Sequence, residues 1–196
     1  MSHYFETPDG DDTRREISAT IWGRPFGFTT SSGVFSGGRL DPGTAVLLRS
    51  VDPPPPAPGR RLLDLGCGYG PIAVALAAVC PGADVTAVDV NDRALELARL
   101  NAARAGVDVT AARPDDVPPD ARFDEIWSNP PIRIGKAALH ELLSTWLARL
   151  DADGRAYLVV GRNLGADSLQ DWLESGGWRC ERLASAKGYR VLQVTA

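Results

Sequence analysis

Two short stretches of the sequence hold the residues whose types and spacing could do chemistry. The first, Leu62 to Pro71, is an apolar run with one acid, Asp64, that breaks into glycines at alternate positions, Gly66, Gly68 and Gly70. Glycine admits positive φ and carries no Cβ, so a turn built from it lets a ligand approach the bare backbone. The apolar residues that follow predict a helix, whose first N–H groups have no partner within the helix and can bind that ligand.

The glycine spacing limits which ligand this turn would bind. The dinucleotide fingerprint is G-x-G-x-x-G. In this chain the third glycine comes one residue early, and Pro71 stands where a dinucleotide turn has Gly or Ala. Pro71 suits the first position of a helix, where its missing N–H costs nothing. We therefore rank a nicotinamide cofactor lower, and a purely structural turn stays as another alternative.

The second stretch is Ser128-Asn129-Pro130-Pro131, directly after a predicted strand. Two prolines fix the backbone and keep the carbonyls out of strand pairing, so we expect the Asn129 side chain and the Pro130 carbonyl to point into a cleft. Two acceptors held side by side can grip both hydrogens of a planar –NH2 group and aim the nitrogen lone pair at an electrophile. Positioning and electrostatics carry such a reaction without a strong base. The alternative is an ordinary Asn-Pro loop.

Two further acids follow predicted strands. Asp89 comes nineteen residues after Gly70, the usual position for an acid that accepts hydrogen bonds from ribose hydroxyls. Alternatively Asp89 caps the next helix, although Asp92 would serve that role better. Asp116 could accept a hydrogen bond from the exocyclic amine of an adenine, or it is a solvated loop acid.

Alternating strand and helix patterns must position these residues. The strands predicted from residue 61 onward are 61–65, 84–89, 107–111, 123–128, 155–161, 178–183 and 189–194, and the helices are 72–80, 93–105, 137–150 and 166–174. This alternation predicts an α/β fold with a Rossmann-like, doubly wound, mostly parallel seven-stranded sheet that ends in an antiparallel hairpin. Ligands of such sheets bind beyond the carboxyl ends of the strands, where both stretches lie.

We expect the 196 residues to form one domain with three parts. Residues 1–50 form an N-terminal segment that packs over the site, with short β segments such as 26–29 and 33–35 and a helix that begins after Asp41. Residues 51–60 include five prolines and form a stiff connector. Residues 61–196 form the Rossmann-like core.

Composition argues against several classes of protein. No apolar run approaches the roughly 20 residues of a membrane-spanning helix. The polar start is no signal peptide, so a cytoplasmic protein is expected. Three scattered cysteines without C-x-x-C spacing argue against a disulfide framework and against a metal site. The net charge is −4, so any nucleic acid would have to be bound by a local basic face.

Taken together, these motifs resemble those of the class I methyltransferases that depend on S-adenosylmethionine. More narrowly, the chain is similar over about residues 3–195 to the small methyltransferase domain group. Its best-known members are the ribosomal RNA small subunit methyltransferase C-like enzymes, which methylate the N2 amine of a guanine in 16S rRNA. The residues that carry this narrower likeness are Phe35-Ser36, Asp41, Gly43, Thr44, Asn129 to Arg133, Gly135, Lys136 and Lys187 to Arg190.

The resemblance implies a role for each matching residue. The residues implied to bind S-adenosylmethionine are Asp64, Gly66, Gly68, Gly70, Asp89, Asp116 and Thr44. The residues implied to hold the amine that is methylated are Asn129 and Pro130. The residues implied to contact the rest of the substrate are Pro131, Ile132, Arg133, Lys136 and Phe35.

The resemblance also implies an RNA partner, either 16S rRNA or the small ribosomal subunit. The basic residues that could form a local phosphate-binding face are Arg24, Arg39, Arg133, Lys136, Lys187 and Arg190. Ile132 stands where many Asn-Pro-Pro enzymes place an aromatic residue on the base, so Phe35 or Tyr69 would have to cover it. A protein glutamine amide, an adenine amine or a small-molecule amine is an alternative acceptor, and a non-catalytic RNA- or partner-binding module is an alternative function.

Overall fold

A hairpin and a helix precede the main sheet in the described part of the chain. The computed structural model describes residues 13–34 and 38–196. These first elements are β1 (Arg14–Ile21), β2 (Arg24–Ser31) and α1 (Pro42–Ser50). Trp22 and Gly23 join the two strands, and both have positive φ, which matches the twist of an antiparallel hairpin.

The remaining elements alternate as the sequence pattern predicts. The strands are β3 (Arg61–Leu65), β4 (Asp84–Val88), β5 (Thr110–Ala112), β6 (Phe123–Ser128), β7 (Leu150–Gly161), β8 (Arg179–Ala186) and β9 (Tyr189–Thr195). The helices are α2 (Pro71–Val79), α3 (Asp92–Ala105), α4 (Lys136–Leu147) and α5 (Ala166–Ser175). Residues 51–60 form neither helix nor strand.

These seven strands form one sheet in the order β5-β4-β3-β6-β7-β9-β8. The strands from β5 to β7 run parallel, and β9 pairs antiparallel with both β7 and β8. The strand order reverses between β3 and β6, which makes this pair the topological switch point. The predicted α/β fold is therefore confirmed, including its antiparallel C-terminal hairpin.

Apolar side chains cover both faces of the sheet, as expected for parallel strands. One buried cluster joins the sheet to α1, α2, α3 and the hairpin, and Phe28 and Trp127 are fully buried within it. The other joins the sheet to α4 and α5 and includes Trp146. None of the helices described in residues 13–34 and 38–196 is both long and apolar enough to cross a membrane.

The N-terminal segment differs from the prediction in one place. The β segment predicted at 33–35 is wrong at Gly33 and Val34, because Gly33 has a φ of +79° and the Val34 N–H donates to the Ser31 carbonyl at 3.2 Å. These features close a turn at the end of β2. Phe35 lies outside the described residues.

Candidate active site

A cleft of about 650 Å³ opens at the carboxyl ends of the parallel strands, directly over the switch point. The loops after β3, β4 and β6 form most of its wall. The turn after the N-terminal hairpin, the start of α1, one side of α4, the residues after β7 and Tyr189 at the start of β9 also contribute to it. The Ser128 hydroxyl donates to the Leu65 carbonyl at 2.7 Å and ties together the ends of β3 and β6. Both sequence stretches with potential chemistry therefore meet in one place.

The glycines after β3 have different structural roles. Gly66 and Gly68 line the cleft with φ of +74° and +55°, and a Cβ on either would meet open space or only the edge of Pro131 at 3.8 Å. Their missing side chains therefore leave room for a ligand. Gly70 is not among the lining residues, and a Cβ there would lie 2.9 Å from the Cβ of Ala98 on α3. Its position indicates close helix packing rather than ligand contact.

Asp64 lies buried beneath the glycine turn, behind the residues that line the cleft. Its Oδ2 accepts the Ala73 N–H at 2.9 Å, whereas its Oδ1 is buried and has no hydrogen-bond partner within residues 13–34 and 38–196. Burial raises the pKa of this carboxyl to about 7, and the hydrogen bond from Ala73 only partly opposes the shift. A buried acceptor in this state favours a cationic or hydrogen-donating neighbour.

Asp89 lines the cleft at the end of β4. Its Oδ2 accepts the Gly68 N–H and its Oδ1 accepts the Asn91 N–H, each at 2.9 Å. Burial raises the pKa of Asp89, and these backbone donors oppose the rise. The N-cap of α3 is Asn91, which accepts the Arg93 N–H at 3.0 Å, so neither acid considered from the sequence caps this helix. The Asp89 carboxylate therefore keeps acceptor capacity for a ligand hydroxyl.

Asn129 points its amide nitrogen toward the start of α1. Its Nδ2 donates to the Asp41 Oδ2 at 2.7 Å and to the Thr44 Oγ1 at 3.0 Å. These two bonds use both hydrogens of the amide. The Oδ1 accepts no hydrogen bond from the described residues, and Asn129 lines the cleft. The site therefore presents Asn129 to a ligand as a hydrogen-bond acceptor.

The Pro130 carbonyl already accepts one hydrogen bond within the protein, which the sequence did not indicate. It stays out of strand pairing, but it accepts the Ile132 N–H at 2.8 Å across Pro131, whose φ of −74° and ψ of 72° define an inverse γ-turn. A carbonyl oxygen has two lone pairs, so one remains for a ligand. Pro130 and Pro131 both line the cleft.

Residues of the N-terminal segment form part of the cleft wall. Gly33 and Val34 line it, and their loop is held by hydrogen bonds from Asn91 to the Gly33 carbonyl and from Arg93 to the Ser32 carbonyl. Thr44 also lines the cleft, where it was expected. The expectation for Phe35 falls outside the described residues.

Several predicted contacts lie at the rim or outside it. Ile132 and the exposed Arg133 line the cleft, whereas Lys136 is exposed at the start of α4 and is not a lining residue. Asp116 is also exposed and outside the lining, and Pro114 occupies the wall on that side. The adenine contact expected of Asp116 therefore has no support in this geometry.

Two of the basic residues considered for a phosphate-binding face are engaged elsewhere. Arg24 donates to the Ala78 carbonyl at 2.7 Å, next to the C-terminal end of α2. Arg190 is largely buried and forms an ion pair with Asp167. Lys187 is exposed at the β8–β9 turn, beside the cleft residue Tyr189.

Sequence reasoning gave no site role to several lining residues, among them Asp41, Tyr189 and the α4 residues Ala138, Glu141, Leu142, Thr145 and Trp146. Asp41 was interpreted as a helix cap and as part of the family likeness, without a role of its own in the site, and it lies 88 residues from its partner Asn129 in the sequence. Tyr189 packs so closely on α1 that a Cβ at Gly43 would lie 2.9 Å from its ring. The spacing Asp41-x-Gly43-Thr44 was the available signal, since it holds a cap, a close contact and a cleft residue. Tyr69, which was considered as a cover for the base, lines the cleft, but it is only 2% exposed and packs against Phe28.

Comparison with known proteins gives a consistent family. Residues 25–193 match the family described as methyltransferase small domain. The chain is 32% identical to the uncharacterized protein YbxB of Bacillus subtilis, over 98% of this chain and 96% of that protein. It is 31% identical to the ribosomal RNA small subunit methyltransferase C of Stutzerimonas stutzeri, over 95% of this chain and 56% of that protein.

A solved structure extends the likeness to three dimensions. The T. thermophilus 16S rRNA N2 methyltransferase, in complex with AdoMet and guanosine, superposes with a TM-score of 0.77 at 28% identity. The match covers 96% of this chain and 52% of that one. The chain thus spans about half the length of the rRNA methyltransferases that it matches.

Proposed function

Because this chain belongs to the methyltransferase small domain family, we propose that it transfers a methyl group to the N2 amine of a guanine in 16S rRNA. It is an S-adenosylmethionine-dependent methyltransferase, as its relatives are. The choice of acceptor is supported by the rRNA methyltransferases among those relatives and by one observation in the cleft. That observation is the orientation of Asn129, whose donors are both used and whose acceptor oxygen remains for a substrate amine.

The cleft fits S-adenosylmethionine. Gly66 and Gly68 leave open space where side chains would otherwise stand. Asp89 retains acceptor capacity for ribose hydroxyls. The buried Oδ1 of Asp64 has no hydrogen-bond partner among the described residues, and a cationic ligand in the cleft would offset the energetic cost of that unpaired acceptor. We therefore propose that these residues and Thr44 surround the cofactor, with Val90 and Pro114 rather than Asp116 beside its adenine.

The chain's own residues would act mainly by orienting the acceptor. S-adenosylmethionine, when bound, supplies an electrophilic methyl group on its sulfonium. Asn129 Oδ1 and the remaining lone pair of the Pro130 carbonyl would accept the two hydrogens of the amine, which holds its plane and directs the nitrogen lone pair toward that methyl group. Fixed acceptors of this kind contribute without reorganising during the reaction. Pro131 and Ile132 would contact the plane of the substrate beside Asn129.

A basic rim supports an RNA acceptor. Arg133, Arg162 and Lys187 are exposed at the carboxyl-end edge of the sheet, and Lys136 is exposed at the start of α4. The chain as a whole is acidic, so this local group would have to supply the attraction for phosphates. Since such contacts position a nucleic acid without reading its bases, the choice of guanine would rest on the cleft. An rRNA acceptor would place the enzyme in the cytoplasm.

The proposal is tested by supplying the purified protein with radiolabelled S-adenosylmethionine and three acceptors from a deletion strain. These are small ribosomal subunits, naked 16S rRNA and a ribosome-free protein extract. We expect label in N2-methylguanosine after nuclease digestion of the RNA. Label confined to glutamine in the extract, or to adenine, would replace the guanine acceptor, and no transfer or binding of cofactor would favour a non-catalytic module.

The role of Asn129 is tested in the same assay with Asn129→Ala. Loss of one positioned acceptor should lower kcat by about 100- to 1,000-fold, while calorimetry shows cofactor affinity within a few-fold of wild type. Asn163→Ala serves as the matched control, since Asn163 is exposed and lies outside the cleft lining. Full turnover by Asn129→Ala would contradict the amine-holding role.

A further inference from the structure

We propose that Asp41 is a positioning residue that fixes which end of the Asn129 amide faces the substrate. The proposal rests on the amine methyl transfer proposed above. It deepens that function, because it explains how an amide with two nearly isosteric ends presents only its acceptor to the amine.

The contact between the two residues is short and enclosed. Asp41 is only 7% exposed, and its Oδ2 accepts the Asn129 Nδ2–H at 2.7 Å and the Thr44 N–H at 2.9 Å. Asp41 is held in place because it is the N-cap of α1, and Pro42 follows it at the first helical position. The carboxylate is therefore anchored to a helix rather than to a mobile loop.

Asp41 can select an orientation because a carboxylate only accepts hydrogen bonds. If the Asn129 amide rotated by half a turn, its Oδ1 would face the Asp41 Oδ2, so a charge-assisted bond would be replaced by repulsion. Thr44 cannot make this choice, since its hydroxyl both donates and accepts. Asp41 thus determines that the Oδ1 of Asn129, and not its Nδ2, faces the cleft.

The first experiment replaces Asp41 with its closest isostere. Asp41→Asn keeps an oxygen that can cap α1 but loses the charge that excludes the rotated Asn129 amide. Because one oxygen accepts from both Thr44 and Asn129, the NH2 group of the variant can donate to the rotated amide only at the expense of the bond from Thr44. We expect kcat to fall at least about tenfold, the change that roughly 1.4 kcal/mol produces, with an unchanged KM for S-adenosylmethionine. The control is Asp92→Asn, which removes the same charge at the exposed start of α3, outside the cleft.

A reciprocal exchange separates positioning from helix capping. In Asn129→Asp alone, two carboxylates face each other and we expect activity to be lost. In Asp41→Asn combined with Asn129→Asp, the amide at position 41 can donate to the carboxylate at position 129, whose other oxygen accepts from the amine. We expect the double variant to exceed Asn129→Asp by at least about tenfold, which a residue that only caps α1 would not produce.

A spectroscopic measurement keeps this test independent of the acceptor. In protein with ¹⁵N-labelled asparagine, the Nδ2 protons of Asn129, assigned with Asn129→Ala, should show nuclear Overhauser effects to the Thr44 amide proton, because both groups donate to the same oxygen. These effects should disappear in Asp41→Asn. If the wild type shows these nuclear Overhauser effects but does not methylate guanine, the orientation assigned to Asn129 stands and the proposed acceptor is rejected. Their absence from the wild type, or a kcat of Asp41→Asn within twofold of the wild type, would overturn the role of Asp41.

Discussion

At the scale of single residues, Asp64 has an unusual environment for an acid. Its carboxyl is buried, one oxygen has no hydrogen-bond partner among the described residues, and burial raises its pKa to about 7 from an ordinary 3.8. Such a group prefers to be protonated in the folded protein. Between these two pKa values the folded state therefore binds more protons than the unfolded state, so stability falls as the pH rises.

This leads to a prediction for Asp64→Asn, which resembles the protonated acid in shape and can still accept the Ala73 N–H. The two proteins should be similarly stable near about pH 4. Between about pH 4 and 7 the wild type should lose up to about 4 kcal/mol relative to the variant, and the difference should level off above pH 7. Urea denaturation in the absence of cofactor measures the difference. A constant difference across this range would show that Asp64 is not held in its protonated form.

At the scale of elements, the glycines of the turn after β3 have different surroundings. Gly66 and Gly68 face open space, whereas Gly70 brings the start of α2 against α3. All three have positive φ, and the sequence alone, which shows three glycines at alternate positions, does not distinguish them. Only the neighbouring helix distinguishes the glycine that allows close helix packing from those that leave open space in the cleft.

Gly70→Ala and Gly106→Ala separate these contributions. Both positions have positive φ, +82° and +67°, but a Cβ at Gly106 meets nothing within 4 Å. We expect Gly106→Ala to cost about 1 kcal/mol of unfolding free energy from backbone strain. Gly70→Ala should cost about 2–4 kcal/mol, because contact with Ala98 adds to the same strain. Equal losses in urea denaturation would refute the packing role of Gly70.

At the scale of the whole molecule, Asn101 connects the N-terminal hairpin to the glycine turn after β3. This fully buried side chain accepts the Thr29 N–H at 2.7 Å and donates to the Thr29 carbonyl at 2.9 Å and to the Tyr69 carbonyl at 2.8 Å. The Trp22 indole also donates to the Val51 carbonyl at 3.0 Å. From these ties we propose that the N-terminal segment, the proline-rich connector and the core form one domain.

Asn101→Ala should therefore weaken the whole unit. It leaves buried groups of Thr29 and Tyr69 without partners, which should cost about 2–4 kcal/mol, and it should loosen the turn and lower cofactor affinity. Asn163→Ala is the exposed control. Circular dichroism and tryptophan fluorescence should report one shared transition in urea. A separate early transition of the hairpin would contradict a single domain.

The sequence alone determined the parts of this protein that follow from local sterics. Strand and helix periods, positive φ at glycine and the fixed φ of proline act within a few residues. They therefore predicted a mostly parallel α/β sheet, the turn after β3 and the rigid backbone at Asn129-Pro130-Pro131. Tertiary structure decided the rest. The hydrogen bond from Asn129 to Asp41 spans 88 residues, Gly70 meets Ala98 from another helix, and Asp116 falls outside the cleft. These outcomes depend on which distant segments of the chain become neighbours in the folded protein, and no local sequence pattern specifies those neighbours.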